Sequence, residues 1–136
     1  VTGVSLMANI PHQTVKVALP RIEKPSYQVL TTREEVVRFL GSEVIDMRKY
    51  ILVVVSRGMC PTGGYKITIN RLVRDGHNVH VHLLFSEPMA DDFVTMVITY
   101  PQDIVAVERK YFSGNTVFQF LNHKGNELAR RSIAFG

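Results

Sequence analysis

The stretch Ser56–Ile69, "SRGMCPTGGYKITI", packs three glycines, one proline and the chain's single cysteine into one short bend. Gly58 and Gly63 have the spacing of a phosphate-cradling loop, but Gly64 stands where that loop needs its lysine. No Ser or Thr follows to hold magnesium, and the next segment reads as a strand with no helix N-terminus to receive an anion. Cys60 lacks a nearby base and an acidic partner, so it reads as a small hydrophobic thiol in a turn and not as a nucleophile. The remaining reading is structural. Pro61 presets a turn, Gly63 and Gly64 can take positive φ and let two backbones approach, and Tyr65 begins the next strand with its ring inward.

The segments on either side of the bend are β in pattern. "YILVVVS", Tyr50–Ser56, is a continuous β-branched run, as expected of a strand covered on both faces. "YKITINRLV" alternates, with Tyr65, Ile67, Ile69 and Val73 on one side, and "HNVHVHLLF" places Val79, Val81, Leu83 and Phe85 together. Arg74-Asp75-Gly76 reads as a three-residue hairpin loop with Gly76 left-handed. Closing it on Val73 and His77 sets Ile69 opposite Val81 and Ile67 opposite Leu83. "FVTMVITYP" and "IVAVERKYF" read as strands broken at Pro101, and residues 116–135 as a last hairpin around His123–Asn126. Residues 1–30, interrupted by Pro20 and Pro25, read as edge strands or an extended arm.

One helix is expected. Thr32 and Glu35 form a capping box, Val36, Val37 and Leu40 supply an apolar face, and Gly41 ends it. The chain of 136 residues is therefore read as a single domain. Its class is mainly β with one short helix (α+β), an antiparallel β-sandwich or partly open barrel.

Composition narrows the function classes. One cysteine gives neither an internal disulfide nor a cysteine zinc site. The formal charge of +4 is spread over scattered basic pairs, with no run and no interleaved aromatics. It reads as a solvated surface, with no nucleic-acid partner expected. No segment reaches the ~18 apolar residues of a membrane helix, so no integral membrane segment is expected. The chain starts at Val1, which raises the expectation that a leading part, export signal included, was removed. His80 and His82 share a strand face, a spacing seen at metal sites, but their expected neighbours Thr68 and Asn70 are poor ligands and His77 points the other way. Asp91-Asp92 and Glu34-Glu35 lack the opposed geometry of an acid–base pair. No catalytic residue and no cofactor is expected.

"GMCPTGGYKI", followed about thirty residues later by "PMADDFVTMVITYPQDIVAV", resembles the C-terminal domain of the PrcB family, bacterial protease-complex subunits. Gly58, Pro61, Thr62, Gly63, Gly64 and Tyr65 carry the first block of the resemblance. Pro88, Val97, Thr99, Pro101, Val105 and Val107 carry the second, and the match covers the core from near Tyr50 to Glu108. Gln102 departs from the tyrosine the family usually places there. The resemblance implies a non-enzymatic accessory domain, exported or envelope-associated, that binds a protein partner and helps assemble or stabilise a subtilisin-like protease. The bend and Pro101 would then be a structural motif or a binding edge. Two alternatives stand beside it. One is a cell-wall or polysaccharide-binding module using Tyr100, Tyr111 and Phe112, and the other is a metal-binding domain using His80 and His82.

Overall fold

The computed structural model describes residues 7–136; the first six residues of the expected N-terminal arm lie outside the described region. Three short strands come first: β1 (Ala8–Ile10), β2 (Gln13–Thr14) and β3 (Ser26–Leu30). The helix α1 (Arg33–Leu40) follows, then β4 (Tyr50–Ser56), β5 (Lys66–Asp75), β6 (Asn78–Ser86) and β7 (Gln102–Glu108). The chain ends with β8 (Gly114–Leu121) and β9 (Glu127–Phe135). Among the described residues two sheets form, one ordered β1-β5-β6-β8-β9 and the other β2-β7-β4-β3, and no barrel closes. The mainly β sandwich with one short helix is as the pattern implied.

The continuous apolar run of β4 is explained by its position. It pairs with β3 on one side and β7 on the other. Ile51, Val53 and Val55 enter the core between the sheets, where Phe118 and Phe120 of β8 meet them. Leu52 and Val54 point to the opposite face and pack with Val36 of α1, Met47, Ile104 and Ala106. Each face of the strand is therefore dry, and period-2 alternation of polarity has nothing to select for.

The helix starts and stops where its caps lie. Thr32 accepts from the Glu35 amide at 3.2 Å, Glu35 Oε1 accepts from the Thr32 amide, and Gly41 takes φ +88°. Val36 is fully buried, with Phe39 and Leu40 beside it. Phe39 thus takes the place expected of Val37, because residues three and four apart share a helical face and adjacent residues do not.

The β5–β6 hairpin differs from expectation in register. Asp75 pairs with Asn78, leaving the two-residue turn Gly76-His77. Gly76 has φ +62° and His77 does not have a positive φ, the pattern of a II′ turn whose twist matches its strands. A register shift between Ile69 and Arg71 absorbs the difference, so Ile69 lies opposite Leu83 and Ile67 opposite Phe85. Beyond that bulge the alternation inverts, and Leu72, not Val73, enters the inter-sheet core.

Further features depart from the expected layout. β6 pairs with β8 in parallel, because the chain visits β7 in the other sheet between them. "FVTMVITYP" is not a strand: only Thr99 makes a β-bridge, to Cys60. "IVAVERKYF" keeps its strand only to Glu108, after which Arg109–Tyr111 form a short 3-10 turn. β1, β2 and β3 occupy sheet edges, Pro11 lies between β1 and β2, and β8–β9 form the last hairpin. "TVKVALP" is largely without strand pairing, and its Val15, Val17 and Leu19 lie over the second sheet's outer face.

Candidate functional site

β4 delivers the chain into the bend at Ser56, and the bend is fastened on two sides. Gly58 has φ +91°, and a Cβ there would stand 3.0 Å from the Glu23 carbonyl oxygen and from the Pro25 nitrogen. The Met59 amide donates to that same Glu23 oxygen at 2.9 Å. On the other side Cys60 and Thr99 exchange amide hydrogen bonds of 2.8 and 2.9 Å, and the Gly63 amide donates to Thr95 O at 2.9 Å. The Thr99 hydroxyl adds a bond of 2.7 Å to Thr62 O, and the Thr62 hydroxyl one of 2.9 Å to Gly63 O.

Only one of the expected glycine pair needs the left-handed conformation. Gly64 has φ +89°, and a Cβ on it would meet Pro88 Cβ at 3.0 Å and Val94 Cγ1 at 3.2 Å. Gly63 has no positive φ, and its Cβ would make ordinary contact with Thr95 at 3.5 Å. Cys60 is buried, its sulfur 3.8 Å from the Gly58 carbonyl oxygen.

Arg57, unremarked in the sequence, locks this end of the sandwich. One guanidinium nitrogen donates to Lys66 O at 3.1 Å and to Ser86 O at 2.9 Å, and the other lies 2.7 Å from Glu87. The group also stands 5.1 Å from the Tyr65 ring centre and 5.4 Å from that of Phe85. It ties the open end of the β5–β6 hairpin to the end of β4. A basic residue one position past a buried strand was the only available signal.

The segment Glu87–Pro101 lies against the bend. It is long for a connection without secondary structure of its own, a class that is usually functional or disordered. Pro88, Val94, Thr95 and Thr99 face the bend glycines, Cys60 and Thr62. The intervening side chains face solvent: Met89 is 72% exposed, Phe93 106% and Met96 83%, with Val97, Ile98 and the bend's own Met59 all more than half exposed. Sequence reasoning expected a strand here and missed this surface, because a β-branched apolar run carries no mark of whether a sheet will accept it.

The other candidate residues are placed as follows. Pro101 O accepts from the Arg57 amide at 2.9 Å, so Pro101 joins the bend to β7. His80 lies opposite Val73 and Gln119, and His82 opposite Arg71 and Leu121, in place of the expected Thr68 and Asn70. Their rings are perpendicular with centres 6.2 Å apart. Burial, then Arg71 and His80, hold the His82 imidazole below its ordinary pKa. Among the described residues no group of three or more His, Cys, Asp or Glu could hold a metal ion.

The three aromatics of the polysaccharide alternative form no exposed platform. Phe112 is buried in the inter-sheet core, stacked 5.1 Å from Phe135, and Tyr111 is packed against that core. Tyr100 is half-buried, with the Arg21 guanidinium 5.6 Å from its ring centre.

Asp103 was also missed. From β7 it reaches across to the other sheet and accepts from the Ile69 amide at 2.8 Å, at the β5 bulge. It lines a depression of about 340 Å³ with Tyr65, Lys66, Thr68 and Thr14. Burial pushes its carboxyl pKa up, against the lowering pull of the Ile69 and Ile104 amides and of His12.

Fold and site together define a two-sheet β-sandwich whose bend and long connection form one hydrogen-bonded unit. Residues 51–108, which hold that whole unit, match the family described as PrcB C-terminal, so the resemblance carried by the two sequence blocks holds over this segment. That family is not known as a catalytic one. No curated protein and no solved structure matches the chain. Among the described residues no helix is long and apolar enough to cross a membrane.

Proposed function

We propose that this domain is a non-catalytic accessory module that binds a protein partner through the Glu87–Ile98 connection. In the exported or cell-envelope setting that the family resemblance implies, the partner is a protease of the subtilisin type, which the domain helps assemble or stabilise. One observation carries the reading. Large apolar side chains project from a segment whose backbone is bonded to a glycine-dependent bend, so their exposure is built into the fold. Large apolar side chains held exposed along one segment mark interaction sites. Met and Phe are also favoured at interface centres, where burial of each contributes about 1.5–3 kcal/mol.

The test is affinity capture from the source organism's envelope fraction, with the intact domain and a Phe93→Ser/Met96→Ser variant as parallel baits and mass spectrometry as readout. Stoichiometric recovery of a protease or another defined protein by the intact domain alone is the expected result. Recovery of wall fragments only, or equal recovery by both baits, would overturn the proposal.

A further inference from the structure

The connection is charged as well as apolar, and its charge selects among possible occupants; this inference rests on the protein-binding reading above. From Glu87 to Glu108 the chain has no Lys or Arg, although its net charge is +4. Glu87, Asp91 and Asp92 accompany Met89, Phe93 and Met96. Glu87 is paired with Arg57 at 2.7 Å, and Asp92 closes its own turn by accepting from the Met89 amide at 2.7 Å. Asp91 is exposed and makes no hydrogen bond or ion pair with any described residue. An unneutralised carboxylate therefore sits two residues from the most exposed aromatic ring of the molecule.

Three occupants could cover the apolar side chains. A second copy meeting this face symmetrically would bring Asp91 and Asp92 against their own equivalents, and like charges at a contact cost affinity. A bilayer surface rich in anionic lipid repels the same carboxylates, and inserting Phe93 would draw them toward the hydrocarbon. A protein with an apolar pocket ringed by cationic side chains satisfies both parts of the surface. The pocket takes Phe93 and Met96, and the rim meets Asp91 and steers the encounter.

We propose that Glu87–Ile98 is an apolar anchor with an acidic rim, and that its occupant is a separate protein presenting a hydrophobic pocket edged by Lys or Arg.

The experiment uses the full chain with a photo-crosslinking residue at Phe93 or, as a control on another strand, at Leu128, exposed to the envelope extract. The captured protein is then purified and titrated against wild type, Phe93→Ser and Asp91→Lys, each checked for a wild-type urea midpoint. Crosslinking is expected from position 93 and not from 128. Phe93→Ser should weaken binding about 30-fold or more, as hot-spot truncations do. Asp91→Lys should weaken it about tenfold at about 50 mM salt and far less at about 500 mM, where exposed charges are screened.

Unchanged or tighter binding by Asp91→Lys would overturn the cationic rim. Capture from Leu128 alone would remove the connection as the site but leave a protein-binding module. No protein at either position would overturn both readings. Phe93-dependent self-association in sedimentation, or Phe93-dependent binding to phosphatidylglycerol vesicles, would overturn the inference in favour of a second copy or a lipid surface.

Discussion

Two segments of nearly the same chemistry have opposite fates. "YILVVVS" of β4 is the most completely buried strand of the molecule, and "FVTMVITYP", Phe93–Pro101, is its most exposed apolar stretch. Both are β-branched and both border the same bend. β4 has a strand on each side and a packed layer on each face, whereas the second segment has the single bridge of Thr99 to Cys60. Strand formation here is decided by what lies alongside, and β-propensity by itself decides little.

The contrast can be tested from its strongest side first. Leu52→Ala should cost about 2–5 kcal/mol, because Leu52 is fully buried beneath the helix and its loss leaves a cavity. A urea midpoint close to wild type would show that this face is less tightly packed than its burial indicates.

Gly64→Val should cost about 2–5 kcal/mol, since left-handed strain of about 1–2 kcal/mol adds to overpacking against Pro88 and Val94 of about 1–3. Gly63→Ala should stay within about 0.5 kcal/mol of wild type, as its φ is ordinary and its new methyl makes a normal contact. Equal melting of the two variants would mean that positive φ does not govern the bend.

Asp103→Asn has a smaller effect, visible as a change with pH. The folded pKa of Asp103 lies above its ordinary value of 3.8. Its contribution to stability is therefore fully present below pH 3.8 and is lost as pH rises through the raised folded value. An asparagine retains an oxygen for the Ile69 amide and never ionises. The variant should gain on wild type as pH climbs from below 3.8 to neutral, in paired denaturation curves. A difference that stays constant with pH would assign the Asp103 contact to geometry alone.

Phe93→Ser and Met96→Ser should shift stability by no more than about 0.5 kcal/mol, since both side chains are already in solvent. A larger loss would place these side chains in the fold's own packing and remove them from the proposed interface.

Local signals carried much of the architecture. The capping box and Gly41 marked both ends of the helix, the prolines of the N-terminal region marked edges, and β4 announced its two covered faces. Gly58 to Tyr65 could be read as a shape-determining bend because glycine and proline act on their own backbone. What escaped notice depended on distant partners. The β5 bulge reconciles a II′ turn with a core set by the opposite sheet, and the parallel β6–β8 pair follows from the visit to β7. Arg57 and Asp103 gain meaning only from carbonyls and amides supplied by other strands. The exposed connection was hidden for the same reason: its composition is that of a buried strand, and only the absence of a neighbour distinguishes it.

The placement of the first strands bears on how the chain assembles as it is synthesised. β3 waits for β4, β1 for Leu72–Arg74 of β5, and β2 for Val105 and Ala106 of β7. Of these strands β3 waits least and β2 longest, and until its partner is made the edge of each stands open. Such delayed, long-range pairing slows folding and leaves unpaired strands available to other chains. Pro11, Pro20 and Pro25, spaced through that region, limit how far another strand could run along it during the wait.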